Sequence, residues 1–264
     1  MARRIAVAAT APFGADVLER LAADFEVVQL LTRPDKPAGR GRRVAAPPAK
    51  VVAERLGIPV EQPEKLDGSV AMAAETVVVC AYGLLVPPVL LERALWLNVH
   101  PSLLPRWRGA APVERAIMAG DAETGVTIHE TVEALDAGPI AAQHAFPIGS
   151  EDDAGVIYAR SAEIAAELLH DVLAEDEPEF TPQPADGLTY AEKIAAADRE
   201  LDPSAPAQQL VNRVRALSPH IGARLGDLLV WRARVAENGA FEPLDVQPAG
   251  GKRMPYDAYL RGRR

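Results

Sequence analysis

The chain has 264 residues, an apolar content of 48%, a formal net charge of −9 and a single cysteine, Cys80. That apolar content excludes wholesale disorder, and one cysteine excludes a disulfide scaffold or a cysteine-ligated zinc site. Pro12 and Asp16 break the N-terminal apolar run, and no stretch reaches the ~18 apolar residues of a membrane span, so a soluble cytoplasmic protein without membrane contact is expected.

In chain order, Ile5–Thr10, Glu26–Thr32, Thr76–Ala81, Leu95–His100 and Thr124–Glu130 read as strands. Several are unbroken Val/Ile/Leu runs, the pattern of strands buried on both faces of a parallel sheet. Between them, Asp16–Ala23, Ala49–Leu56, Pro88–Arg93 and Pro112–Ala119 read as helices, two of them closed by Gly57 and Gly120. This alternation predicts an α/β fold with a doubly wound, mostly parallel sheet and ligands at the carboxyl ends of its strands. Ser150-Glu151-Asp152-Asp153 resembles an acidic helix start, leading into an amphipathic helix to about Glu175. Pro178, Pro182 and Pro184 mark a change of regime, and Leu188–Glu200 reads as a linker. A helix over Ala205–Ala216 follows, then strands over Leu228–Ala236 and Glu242–Val246.

The turn after the first strand, Thr10-Ala11-Pro12-Phe13-Gly14, has one glycine where a dinucleotide fold needs three. No Gly-Lys-Ser/Thr phosphate loop occurs anywhere. Nicotinamide chemistry is therefore not expected.

Charge is unevenly distributed. Arg33, Lys36, Arg40, Arg42 and Arg43 stand against Asp35 in the run 33–43, a local +4. Lys252, Arg253, Arg261, Arg263 and Arg264 stand against Asp257 in 251–264, again +4. The remainder then sums to −17. Such runs read either as a solvated loop and a frayed tail or, since the first holds two prolines and two glycines and is a conformationally special loop, as a place for a polyanion to bind through Coulomb attraction and counterion release.

Asn98 and His100 stand two apart at the end of a predicted strand and so share a face. Asp136 precedes Ala137-Gly138 in a tight turn. Alone, each has a bland structural reading. His129, His144, His170 and His220 are scattered along the chain and read as structural or surface residues.

The run Asn98-Val99-His100-Pro101-Ser102-Leu103-Leu104-Pro105, taken with the Asp136-Ala137-Gly138 turn, resembles the folate-dependent formyltransferases. Arg33–Gly41 (RPDKPAGRG) and Pro105–Pro112 (PRWRGAAP) are similar to signatures of the methionyl-tRNA formyltransferase family within them. Lesser matches at Gln62-Pro63, Val79–Leu84, Gly120–Ile128 and Thr189–Lys193 extend the resemblance over about residues 1–200.

The resemblance implies transfer of formyl from 10-formyltetrahydrofolate to the α-amine of methionyl-initiator tRNA, without a metal. It implies catalytic roles for Asn98 as oxyanion donor, His100 in proton transfer and Asp136 as its partner. It places folate against Ser102, Leu103, Leu104, Pro105 and against Tyr82, Gly83 and Leu84, although Tyr82 reads equally well as core. It places the tRNA acceptor stem against Arg33, Lys36, Arg40, Arg42 and Arg43, with Lys193, Lys252 and Arg253 as further contacts. A monomer is expected, with a catalytic domain at 1–180, a linker at 181–200 and a reduced tRNA-contacting domain at 201–264.

Three departures from the family stand out. Ala9-Thr10-Ala11 replaces a Gly-Thr-Pro turn, Pro101 stands where Gly is usual, and only 62 residues follow Asp202. The last predicts an abbreviated β-rich, OB-like C-terminal domain that depends on docking for stability. Two rivals remain: a formyltransferase for an amino sugar nucleotide or glycinamide ribonucleotide, and a non-catalytic folate- or tRNA-binding relative. The first has no use for the 33–43 insertion, and the intact Asn98, His100 and Asp136 count against the second.

Overall fold

The computed structural model describes residues 3–38 and 43–262. In chain order the elements are β1 (Arg4–Ala9), α1 (Pro12–Asp24), β2 (Glu26–Leu31), β3 (Lys36–Ala38), β4 (Arg43–Ala45), α2 (Pro48–Leu56) and β5 (Val60–Glu61). Next come β6 (Thr76–Cys80), α3 (Pro88–Leu91), β7 (Leu95–His100), β8 (Arg108–Gly109), α4 (Pro112–Ala119), β9 (Glu123–Glu130), β10 (Ile140–Pro147) and α5 (Ala154–Ala174). The chain finishes with β11 (Tyr190–Ala191), α6 (Ala207–Leu217), β12 (Ala223–Leu225), β13 (Leu228–Val235), β14 (Phe241–Pro248), β15 (Met254–Pro255) and α7 (Tyr256–Arg261).

Seven strands form one sheet in the order β10-β9-β7-β6-β1-β2-β5. The pairs β1/β2, β1/β6, β2/β5 and β6/β7 are parallel, and β9 runs antiparallel to β7. The strands read from apolar runs all form, and β6 is buried along its whole length. Helices α1 to α4 each begin on a proline. Proline suits that position because its fixed φ is already helical and the first N–H has no intrahelical partner. This is why α1 starts at Pro12, four residues before the apolar period becomes visible at Asp16. Gly57 and Gly120 close α2 and α4 at φ 72° and 76°, a left-handed conformation that costs glycine nothing.

Several elements were not anticipated, three strands among them. The basic stretch is not a plain loop: β3 and β4 pair antiparallel, Lys36 opposite Ala45. Strand β10 was also missed. It is an edge strand in which Gln143 and His144 break any apolar run, and only Phe146 is buried.

By internal contacts the chain divides into two compact units. The first comprises Met1–Arg108, Gly125–His144 and Ala159–Leu188. One of its cores packs Ala6, Ala8, Leu31, Val77, Val79, Leu90 and Trp96 together, with the Trp96 indole N–H donating to the Leu90 carbonyl at 2.9 Å. The second comprises Gly109–Thr124, Ala145–Tyr158 and Thr189–Arg264. Its core joins Leu210, Val214 and Leu217 of α6 to Ala223, Val230 and Val246 of the open antiparallel sheet β12-β13-β14-β15. In the same unit the predicted linker is fastened: Arg115 pairs with Asp198 at 3.0 and 2.9 Å. That pairing holds the Asp198 carboxyl below its usual range.

Candidate active site

The apolar run Leu95–Val99 drives β7 into the sheet centre and delivers Asn98 and His100 at its carboxyl end. The parallel register, Val79 beside Asn98, sets the end of β6 next to them. Asp136 comes from the turn between β9 and β10. Its φ of 47° is a left-handed value that aspartate adopts more readily than most residues. Among the described residues, Ala81 (φ 46°) and Trp107 (φ 64°) are the other non-glycine residues in that region of conformational space, and they lie in the loops that follow β6 and β7. Backbone strain of this kind persists where the surrounding structure enforces it.

The Asp136 carboxylate faces both partners. Oδ1 accepts from Asn98 Nδ2 at 3.4 Å, and Oδ2 lies 3.7 Å from His100 Nδ1. His100 is buried, at 4% exposure. Its Nε2 is 2.8 Å from the Trp107 carbonyl oxygen. A carbonyl only accepts, so Nε2 carries the hydrogen and Nδ1 is the nitrogen open to a proton. The three predicted catalytic side chains therefore meet.

His129 meets them as well, contrary to its reading as one of the scattered histidines. It stands opposite Asn98 in the β7/β9 register. Its Nε2 is 3.0 Å from Asn98 Nδ2 and 3.8 Å from Asp136 Oδ1, and its Nδ1 is 2.8 Å from the Glu130 carbonyl oxygen. Burial first, and the neighbouring His100 second, lower its pKa to about 4. Gln183, in the proline-rich stretch after α5, was also missed. Its amide nitrogen donates to the carbonyls of Asp136 and Gly138, both at 2.8 Å, while its oxygen accepts from Arg108. A Cβ at Gly138 would collide with the Glu130 carbonyl, so this turn admits only glycine there.

The loop after β7 is stapled on itself, to β9 and to β10. Ser102 Oγ donates to the Arg106 carbonyl at 2.7 Å, Thr127 Oγ1 donates to the Ser102 carbonyl at 2.6 Å, and Gln143 donates to the Leu104 carbonyl at 3.1 Å. Ser102, Leu104 and Pro105 are buried, and Leu103 is half-exposed. At the end of β6, the Tyr82 side chain packs into the core with Leu90 and Trp96, and burial pushes its phenol up to about 12. Gly83 remains exposed and Leu84 half-exposed. Of that trio, then, a ligand could reach Gly83 and Leu84 but not the tyrosine ring.

Arg33 sits against this turn, its guanidinium beside Gly83. Lys36 is exposed on β3 and Arg43 begins β4, whereas Arg40 and Arg42 lie outside the described residues. The foot of the hairpin is tied down by a polar knot. Lys50 Nζ contacts Asp35 at 2.9 Å and Gln62 at 2.8 Å, and the Gln62 amide donates to Asp35 at 2.7 Å and to the Arg33 carbonyl at 2.8 Å. In the second unit Lys193 and Lys252 are exposed. Arg253 is paired with Asp245 at 3.0 Å, so part of the tail's positive charge is neutralised where it stands.

Among the described residues, no group of three or more His, Cys, Asp or Glu could hold a metal ion. None of the described helices is long and apolar enough to cross a membrane.

Residues 3–173 match the family described as Formyl transferase. Over its full length the chain is 42% identical to methionyl-tRNA formyltransferase of Halorhodospira halophila, covering 97% of that protein. That alignment has 304 positions against 264 residues, so at least 40 of them have no counterpart in this chain. Among solved structures, methionyl-tRNA formyltransferase from Clostridium thermocellum superposes with a TM-score of 0.67 at 15% identity, over 96% of this chain and 99% of that one. The N-formyltransferase of Helicobacter canadensis, in complex with folinic acid and dTDP-3-aminofucose, gives 0.67 at 16% identity over 89% and 88%.

Proposed function

Since the chain belongs to the formyl transferase family, we propose that it transfers formyl from 10-formyltetrahydrofolate to the α-amino group of methionyl-initiator tRNA, as a monomer in the cytoplasm. The observation that carries the choice of acceptor is the full-length similarity to a methionyl-tRNA formyltransferase. The basic hairpin foot agrees with it.

The reaction joins the amine nitrogen to the formyl carbon and breaks that carbon's bond to the folate nitrogen. An oxyanion develops on the formyl oxygen, and the amine, now an ammonium, must shed a proton. Asn98 supplies an N–H for the oxyanion, a contribution of about 2.7–4 kcal/mol for one such donor in other enzymes. The Asp136 contact at 3.4 Å is the longer of the two that Asn98 Nδ2 makes, so it is the one an oxyanion would displace. His100 Nδ1 and the Asp136 carboxylate face one another across 3.7 Å, a gap in which the departing proton is received and passed to the leaving nitrogen.

For the folate, Gly83, Leu84 and Leu103 border the carboxyl ends of β6 and β7 with partly exposed, uncharged surface, which fits a flat pteridine. Bound there, it supplies the formyl group and a nitrogen leaving group. Ser102, Leu104 and Pro105 support that loop from beneath. Formyl transfer is assigned to residues 1–180, with 181–200 as a linker that lends Gln183, and tRNA contact to 201–264 together with Arg33, Lys36, Arg40, Arg42 and Arg43.

The test is direct: purified protein, 10-formyltetrahydrofolate and methionyl-initiator tRNA, followed by formyl-methionyl product. Absence of that product, with turnover on a dTDP-amino sugar or glycinamide ribonucleotide instead, overturns the assignment.

A further inference from the structure

We propose that His129 is a positioning residue for formyl transfer: it holds the Asn98 side-chain amide in the one orientation that presents N–H to the reacting carbonyl. This rests on the function proposed above, but its argument is geometric. The Glu130 carbonyl, 2.8 Å from Nδ1, can only accept, so Nδ1 bears the hydrogen. Nε2 is then a lone pair, 3.0 Å from Asn98 Nδ2. An amide nitrogen only donates, so the two are matched as acceptor and donor.

Turning the amide over would set Asn98 Oδ1 against two acceptors, the His129 lone pair and Asp136 Oδ1, the latter 3.4 Å from where Nδ2 now lies. Both neighbours therefore exclude the reversed amide, in which a carbonyl oxygen would face the developing oxyanion. The two constraints are not equivalent. Asp136 must move charge and protons during the reaction, whereas His129 is enclosed, at 1% exposure, and burial keeps its ring neutral. When the formyl oxygen takes the hydrogen that Asp136 holds, the bond to His129 still fixes the amide plane.

The experiment compares wild type, His129→Gln, whose side-chain oxygen can accept near the Nε2 position, and His129→Met, which fills the space without that acceptor. His129→Met should lose about tenfold or more in kcat, with KM for folate and for tRNA within about twofold. His129→Gln should keep most of kcat. In an Asn98→Ala background, His129→Met should cost less than about twofold more. Full activity in His129→Met, equal loss in both variants, or losses that multiply with Asn98→Ala overturns the proposal.

A substrate-independent measurement covers the case in which a variant fails to fold. In the 15N spectrum of imidazole-labelled wild type at pH 7, His129 should show the neutral Nδ1–H tautomer, and an Nε2–H tautomer or an imidazolium overturns the proposal. If wild type forms no formyl-methionyl-tRNA, the functional assignment fails, while this spectrum still decides how Asn98 is held.

Discussion

Gln183 donates one amide nitrogen to the backbone carbonyl of Asp136 at 2.8 Å, from 47 residues further along the chain. The same nitrogen reaches Gly138, so one side chain spans the turn that carries the carboxylate in its left-handed conformation. Replacing Gln183 with Ala leaves two turn carbonyls and the Arg108 guanidinium without this partner. We expect kcat to fall about tenfold through misplacement of Asp136, with KM for tRNA nearly unchanged. Steady-state kinetics on both substrates would check it, and a loss confined to KM would contradict the role.

Asp136→Asn keeps the shape of the side chain and removes its charge. Without the carboxylate beside Nδ1, His100 has no anion to stabilise the proton it receives, and kcat should fall about 100-fold or more. The melting temperature should stay close to wild type, because the turn is held by Gln183 through the backbone. A single-turnover assay separates the chemical step from binding.

The knot of Lys50, Asp35 and Gln62 lies at the foot of the β3/β4 hairpin and includes none of Asn98, His100, His129 and Asp136. Hydrogen bonds from Gln62, then from Lys50, hold the Asp35 carboxyl below its usual range, as expected of an anion fixed in place. Lys50→Met should raise KM for tRNA about threefold to tenfold and leave kcat within about twofold. Lys36→Ala should weaken tRNA binding and reduce the slope of log affinity against log salt by about one. Filter binding across a salt series measures both, and a fall in kcat with either variant would tie the hairpin to the chemistry.

Acid should weaken the fold through His129. In the unfolded chain this imidazole takes up its proton near pH 6.5, but in the folded protein only at about pH 4. Between those values the unfolded state holds more protons, so stability falls as pH drops, by about 1 kcal/mol per pH unit. Urea unfolding between pH 4 and 7 should show this slope, and His129→Gln should flatten it.

Much of this fold is legible in the sequence because parallel strands covered on both faces must be continuously apolar, as Thr76–Cys80 and Leu95–Leu97 are. Asn98, His100 and Asp136 come from short motifs whose resemblance points to them together. His129 could not be found that way. What makes it part of the site is cross-strand register, and periodicity along one strand carries no information about which residue lies opposite. Gln183 lies among prolines in a segment without period, where nothing local marks one polar side chain above another. Tyr82 carried an apolar and a ligand reading at once, and only packing separates its buried ring from the exposed Gly83 beside it.

The antiparallel pairing of β9 with β7 sets Asn98 opposite His129 and His100 opposite Thr127. That makes the site sensitive to parity. The strand register itself does not depend on the length of the connection from Pro101 to Ala122, but that connection carries the Trp107 carbonyl that holds His100 and the loop stapled to β9. Inside β9, one inserted residue ahead of His129 would bring an aliphatic neighbour opposite Asn98 and turn the imidazole to the other side of the sheet. Two inserted residues would restore the side but not the partner. Length variation in relatives should accordingly spare the strand itself, whatever substitutions the strand accepts.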